Sequence, residues 1–236
     1  MTPRAAMREV LLRLGLLGLA RRVQSRFAPI LSPYAMEFPP FGHEIQGAAF
    51  ASGDYARYAS LALAIRRIEE EGIPGAFAEV GVYRGATSRF LIRCAPGREL
   101  YLFDTFEGFP RADREPVNPG DERFQDTSEE RVRRALGDAA NVVIRKGRFP
   151  ETAAGLENVR FAFVLLDLDL YQPTLAGLRF FYPRMSPGGY LFVHDFNSPE
   201  SDKACRRAVS EFMTDKPEKF VELPDVWGSV VMRRIG

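Results

Sequence analysis

The sequence predicts an α/β fold, a doubly wound and mostly parallel sheet of seven strands, preceded by an N-terminal helical extension over residues 1–50. Three observations carry this. From Phe77 onward, short apolar runs alternate with segments of helical spacing, the pattern of a parallel sheet covered on both faces. Two of these runs, Phe163–Leu166 and Tyr190–Val193, are apolar throughout, as strands buried on both sides must be. Both end abruptly in ionisable groups, Asp167 and Asp169 after the first, His194 and Asp195 after the second. Ligands of open α/β sheets bind outside the carboxyl ends of the strands, so these two ends point to one composite site.

The elements follow in order. Met7–Ile30 has a central apolar stretch that is interrupted by Arg13 and flanked by Arg21 and Arg22. It falls short of the roughly 20 apolar residues that a membrane span needs, and it has no clean signal-cleavage site. A helix packed on the main domain or on a second subunit is expected; a basic amphipathic helix on a membrane surface is the alternative. Residues 31–50, with Pro33, Pro39, Pro40 and His43, read as an irregular connector. Tyr55–Glu71 carries Tyr58, Leu61, Ala62, Ile65 and Ile68 at helical spacing and is stopped by Gly72 and Pro74. A strand over Phe77–Val82, a helix over Thr87–Cys94 and a strand over Leu100–Phe103 come next.

Phe106–Asp126 breaks the alternation. It is rich in Gly, Pro and charge, and a loop this long in a compact domain reads as a lid or binding loop, with Phe106, Phe109 and Phe124 as apolar anchors. After it come a charged helix (Ser128–Leu136), a short strand (Asn141–Arg145) and the strand leading to Asp167. A helix over Leu175–Phe181, the strand leading to Asp195 and a helix over Cys205–Met213 follow. Phe220–Leu223 and Ser229–Arg233 close the sheet as a terminal pair that includes an antiparallel strand. Residues 51–236 are thus expected to form one domain.

The charge balance excludes one class of partner. Thirty-two basic and 31 acidic residues leave a net charge of +1, so no global field draws nucleic acid. The two cysteines, Cys94 and Cys205, make neither a disulfide framework nor a zinc site, which fits a reducing cytoplasm.

The loop Ala78–Ser88 leaves one strand and opens a helix. Gly81 permits a tight turn with close ligand approach, and Gly85 permits close packing at the helix start. The pattern is Glu-x-Gly-x-x-x-Gly and not the dinucleotide pattern Gly-x-Gly-x-x-Gly, which argues against NAD. Glu79 would repel a pyrophosphate but welcome the ammonium group of a zwitterion such as S-adenosylmethionine. Asp104 ends the next strand, placed to accept hydrogen bonds from both ribose hydroxyls. Ser88 and Thr105, beside these groups, complete the expected cofactor set of Glu79, Gly81, Gly85, Ser88, Asp104 and Thr105.

Four motifs in unbroken order, Glu79–Gly85, Leu102–Pro110, Asp167–Tyr171 and Tyr182–Gly189, resemble the macrocin O-methyltransferase family, the sugar O-methyltransferases of antibiotic pathways. The resemblance covers roughly residues 50–215. It implies a class I methyltransferase fold of Rossmann-like type, S-adenosylmethionine, a divalent cation (usually magnesium), a hydroxyl acceptor on a sugar or polyol, and a homo-oligomer. Carried over by position, Asp167 matches the family's metal-binding and catalytic acid, and Asp195 the second aspartate of a closing pair. Here the chain departs from the family, because His194 replaces the first aspartate of that pair. Histidine suits manganese, zinc or iron better than magnesium, and it is also a general-base candidate. The expected catalytic residues are therefore Asp167 and His194, and the expected metal ligands Asp167, His194 and Asp195. Asp169 either joins the chemistry or caps the helix that begins near Pro173. A metal-independent methyltransferase and a non-catalytic protein of the same fold are the alternative readings.

Overall fold

The strands β1 (Ala76–Val80), β2 (Leu100–Asp104), β3 (Val142–Lys146), β4 (Phe161–Leu166), β5 (Met185–Val193), β6 (Val221–Leu223) and β7 (Ser229–Arg233) form one sheet in the order β3-β2-β1-β4-β5-β7-β6. The coordinates are a computed structural model that describes residues 43–114, 120–137 and 139–236. Contacts divide the chain into two units with the boundary between Gln46 and Gly47, and the sheet belongs to the second. The helix expected over Met7–Ile30, and the first part of the connector, lie outside the described residues.

The first five strands run parallel, and β7 pairs antiparallel with both β5 and β6. Every residue of β1 and β4 is buried, which is why β4 reads as a continuous apolar run and β1 does so except at Glu79. The chain builds outward from β1 through β2 to β3, then crosses back so that β4 pairs with the other side of β1. The strand order reverses between β1 and β4, and their carboxyl ends therefore open a crevice.

Seven helices are described: α1 (His43–Ala51), α2 (Tyr55–Glu70), α3 (Ala86–Cys94), α4 (Arg111–Arg114), α5 (Glu129–Leu136), α6 (Tyr171–Phe181) and α7 (Ala204–Phe212). In α2, Leu61, Ala62, Ile65 and Ile68 are buried at the spacing of one face, and Asp54 caps the start by accepting from the Arg57 amide. α5 starts at the Ser128 cap and stops at Gly137, which takes the left-handed conformation that glycine adopts without strain.

Several ends shift by a residue from the sequence expectation, the short helix α4 lies inside the expected loop, and three further differences have a plain cause. Residues 43–50 of the expected connector belong to a helix, α1, whose central Gly47 and shortness hid it behind the preceding prolines. α6 begins at Tyr171 and not Leu175, because Pro173 in a first turn has no amide to lose. Its N-cap residue is Leu170, with no side-chain cap, so Asp169 does not serve as the N-cap. β1 stops at Val80 because Gly81 turns the chain with φ of 91°.

A cluster of phenylalanines fills one side of the sheet. The Phe181 ring lies 5.0 Å from Phe161, 5.6 Å from Phe149 and 6.0 Å from Phe103, centroid to centroid. Removing this ring leaves a large cavity that the surrounding aromatics cannot fill. Phe181→Ala is expected to lower stability by about 3–5 kcal/mol, measured by urea unfolding.

Candidate active site

The crevice at the ends of β1 and β4 deepens into a cavity of about 430 Å³, the size of a site for a cofactor-sized ligand. Glu79, Gly81, Asp104, Thr105, Asp167, Asp169, His194 and Asp195 all line it. Gly85 and Ser88 do not belong to that wall. Gly85 is the left-handed N-cap of α3, where a Cβ would come within 3.2 Å of Val132. Ser88 is fully buried and donates its hydroxyl to Glu79 Oε2 at 2.5 Å, so it supports the acid from behind.

On the β1 and β2 side, one carboxylate organises the loop. Asp104 Oδ2 accepts from the amides of Val82 and Tyr83 at 2.6 and 2.8 Å, and Oδ1 accepts from the Phe106 amide at 2.6 Å. A carboxylate has roughly four lone-pair directions, so Asp104 fastens the glycine loop and keeps limited capacity for a ligand hydroxyl. Thr105 lines the cavity, but its hydroxyl closes a turn by donating to the Gly108 carbonyl at 2.6 Å. Glu79 is buried, and burial pushes its carboxyl up to about 8, against the opposing hydrogen bond from Ser88. A neutral acid at the bottom of a loop becomes an anion when a cationic group arrives to pair with it.

At the other end of the cavity, the acids of β4 and β5 meet. Asp167 Oδ2 accepts from the Arg57 guanidinium at 2.5 Å, and Asp167 Oδ1 lies 3.1 Å from His194 Nδ1. The same Nδ1 lies 3.0 Å from Asp195 Oδ2. Neither approach is a directed hydrogen bond, and both ring nitrogens are shielded from solvent without a partner. Donor atoms of Asp167, His194 and Asp195 all fall within 4.8 Å of one another, converging on one small volume.

The electrostatics follow from this packing. Burial alone would raise the Asp167 carboxyl, but Arg57 and His194 outweigh it and hold the group ionised. Burial opposes charge on His194, yet Asp167 and Asp195 raise it to about 10. Asp169 is pushed up to about 8, by burial first and then by the neighbouring Asp195 and Asp167. Asp169 and Asp195 take the left-handed conformation, with φ of 59° and 56°, where the chain turns off the sheet. Non-glycine residues held there cost about 1 kcal/mol or more and cluster at functional sites.

The long segment after β2 packs against this cavity through its aromatics. Phe124 meets Tyr83 of the glycine loop at 5.1 Å and Phe109 at 5.3 Å, both edge to face. Arg123 sits over Phe109 and Phe124, pairs with Asp121 at 2.9 Å, and reaches Asp169 at 3.3 Å. Asp126 is held by Tyr83 and Arg84.

Sequence reasoning missed Arg57, Arg123, Asp54 and Asp225, of which the first two touch the central acids. A signal existed for Arg57. It lies four residues before Leu61, on the apolar stripe of α2, where a cation needs a buried partner. Arg123 and Asp225 carried none, being charges in polar loops.

Comparisons with known proteins agree with this geometry. The chain is 30% identical over 174 residues to the 8-demethyl-8-(2,3-dimethoxy-alpha-L-rhamnosyl)-tetracenomycin-C 4'-O-methyltransferase of Streptomyces olivaceus, covering 66% of this chain and 64% of that protein. It thus matches just under two thirds of that relative's length. It is 27% identical over 196 residues to the mycinamicin III 3''-O-methyltransferase of Micromonospora griseorubida, covering 71% of this chain and 76% of that one. Among solved structures, the O-methyltransferase NovP superposes with a TM-score of 0.65 at 25% identity, covering 77% of this chain and 81% of that one. The sheet has the class I methyltransferase fold, Rossmann-like as the sequence predicts. The family model for macrocin O-methyltransferase matches residues 3–226, nearly the whole sequence, and the chain belongs to that family.

Proposed function

We propose that this chain transfers a methyl group from S-adenosylmethionine to a hydroxyl of a sugar or polyol natural product, assisted by a divalent cation. The observation that carries the reading is the single cavity that joins the Glu79–Asp104 loop to the Asp167–His194–Asp195 cluster. On this reading Glu79 takes the ammonium group of the cofactor, and Gly81 lets the backbone approach it closely. Asp104 keeps the loop closed and offers its remaining lone pair to the ribose. The relative from Streptomyces olivaceus, named for a rhamnosyl-bearing substrate, supports the acceptor class.

The residues of the acid cluster fit a cation. Two carboxylates and an imidazole converge, and Nδ1 lies 3.1 and 3.0 Å from the two acids without hydrogen-bond geometry to either, a set of Lewis-basic groups around one small volume. Asp167, Asp195 and His194 would hold the ion, which when bound supplies Lewis-acid stabilisation of the negative charge developing on the acceptor oxygen. The proton of the acceptor hydroxyl goes to Asp169 as the oxygen forms its new bond to the methyl carbon and the carbon–sulfur bond breaks. Burial and the neighbouring Asp195 and Asp167 favour the protonated form of Asp169 in the empty site, and a cation bound beside it would favour the ionised form that accepts the proton. This reading revises the expectation for His194. A histidine between two carboxylates stays protonated or takes a metal, and in neither state does it accept a proton, so it keeps only the ligand role. Phe109, Phe124 and Arg123 close the long segment over the cavity and exclude water.

The proposal includes a homo-oligomeric state, tested by light scattering, and a cytoplasmic setting, supported by the unpaired Cys94 and Cys205. No helix among the described residues is long and apolar enough to cross a membrane. Titration calorimetry tests the cofactor. Heat is expected with S-adenosylmethionine and S-adenosylhomocysteine but not with NAD, and the opposite pattern overturns the proposal. A methyl-transfer assay over a panel of deoxysugar-bearing natural products, with and without EDTA, tests the acceptor class and the cation.

A further inference from the structure

His194 faces acids on more than one side. Beyond the Asp167–Asp195 pair, donor atoms of Asp54 and Asp225 lie within 4.8 Å of a histidine nitrogen and of each other. Asp54 stands at the start of α2, and Asp225 in the turn before β7. Both are held by backbone amides. Asp54 Oδ2 accepts from the Val226 amide at 3.2 Å, and Asp225 Oδ1 accepts from the Ser229 amide at 2.5 Å. Asp225 Oδ2, by contrast, is shielded from solvent and has no partner. His194, only 6% exposed, has a second nitrogen, Nε2, in the same condition. An Asp225 carboxylate oxygen and a His194 nitrogen thus lie within 4.8 Å of each other, beyond hydrogen-bond distance. Each residue carries a shielded atom without a hydrogen-bond partner, a state that costs about 1–3 kcal/mol per group until the gap is closed or bridged.

We propose that His194 grips the cation through Nδ1 while Asp225, with Asp54 beside it, orients the ring through Nε2–H, and that this carboxylate–histidine–cation chain tunes the site toward first-row transition cations over magnesium. The inference rests on the cation-assisted reading above. Its chemistry is general. A carboxylate on the far nitrogen fixes the tautomer, aims the near nitrogen and makes it a better ligand. An imidazole in place of a carboxylate moves preference from magnesium toward manganese, cobalt and zinc. Asp54 and Asp225 are thus positioning residues, acting through His194, and their side chains also tie the start of α2 and the turn before β7 to the cation site.

The test is cation binding, read without turnover. Wild-type protein loaded with Mn2+ is expected to show nitrogen coupling in electron spin-echo spectra, and His194→Asp to lose it while still binding Mn2+. Mn2+ is expected to bind at least about 10-fold more tightly than Mg2+ in the wild type, with that margin shrinking in His194→Asp. Asp225→Asn keeps an oxygen for the Ser229 amide but turns the other atom into a donor facing Nε2–H. It is expected to weaken Mn2+ binding by about 10–100-fold with S-adenosylhomocysteine affinity unchanged. Asp54→Asn, which still caps α2, is expected to weaken it less. Mn2+ bound without nitrogen coupling, or with equal affinity in Asp225→Asn, overturns this inference and leaves the cation-assisted reading standing. A wild-type protein that binds no divalent cation overturns both.

Discussion

Asp167→Asn is expected to slow methyl transfer by about a thousand-fold while S-adenosylhomocysteine binds within a few-fold of wild type. Asp167 is the one carboxylate that meets both Arg57 and His194, at opposite oxygens. Asparagine keeps the shape but removes the charge, so on the proposed cation-assisted reading the ion would lose an anionic ligand and the acceptor oxygen several kcal/mol of stabilisation. At 1.36 kcal/mol per factor of ten, about 4 kcal/mol gives the stated loss. The cofactor half of the cavity hangs on β1 and β2 and is not touched. One cost is structural, because Arg57 loses its buried counter-ion and breaking such a pair typically costs about 3–5 kcal/mol. Thermal melts must therefore accompany the kinetics, at a temperature where the variant stays folded. Activity that persists in Asp167→Asn and in EDTA alike would remove the cation from the mechanism.

Glu79→Gln is expected to stabilise the free protein at neutral pH and to weaken cofactor binding. The Glu79 carboxyl stands at 4.5 in an unstructured chain and is raised to about 8 by burial in the fold. A group whose folded value is raised in this way holds its proton more tightly when folded. Below about pH 4.5 it is protonated in both states and costs nothing. As pH rises from there to about 8, the unfolded chain ionises first and stability falls, reaching a cost of about 3 kcal/mol at pH 7 and about 5 kcal/mol above pH 8. Glutamine never ionises and still accepts from Ser88, so the variant is expected to lose this pH slope. It also loses the anion that meets the ammonium group, and affinity for S-adenosylmethionine is expected to drop about 10–100-fold, as for a charged hydrogen bond removed. Equal melting temperatures for the two proteins from pH 5 to pH 8 would refute the buried-acid account.

The sheet was readable from the chain because a strand buried on both faces has to be apolar from end to end. Phe163–Leu166 shows this without exception, and in β1 the one break is Glu79, an acid of the cavity wall. The acids at the strand ends were readable for the same reason, as sudden polarity after a run that excludes it. What stayed hidden depends on contacts between distant segments. No local pattern says that Arg57 will meet Asp167, 110 residues away, or that Asp225 will come to lie behind His194. Asp169 illustrates a third case. Its sequence neighbourhood fits a helix cap equally well, and only the start of α6 at Tyr171, after the uncapped Leu170, removes that role. Ser88 shows the converse, a residue in the right motif whose hydroxyl turns away from the cavity to the acid behind it.

Gly81 has a consequence beyond the turn it permits. A methyl group on its Cα would sit 1.8 Å from the carbonyl oxygen of Asp167, so the two backbones touch with nothing between them. The turn after β1 and the residue that ends the β4 run are therefore one unit, with no side chain between them to act as a spacer. A side chain at position 81 would have to push the turn after β1 away from the end of β4, so any change there would shift the glycine loop and the Asp167 turn together.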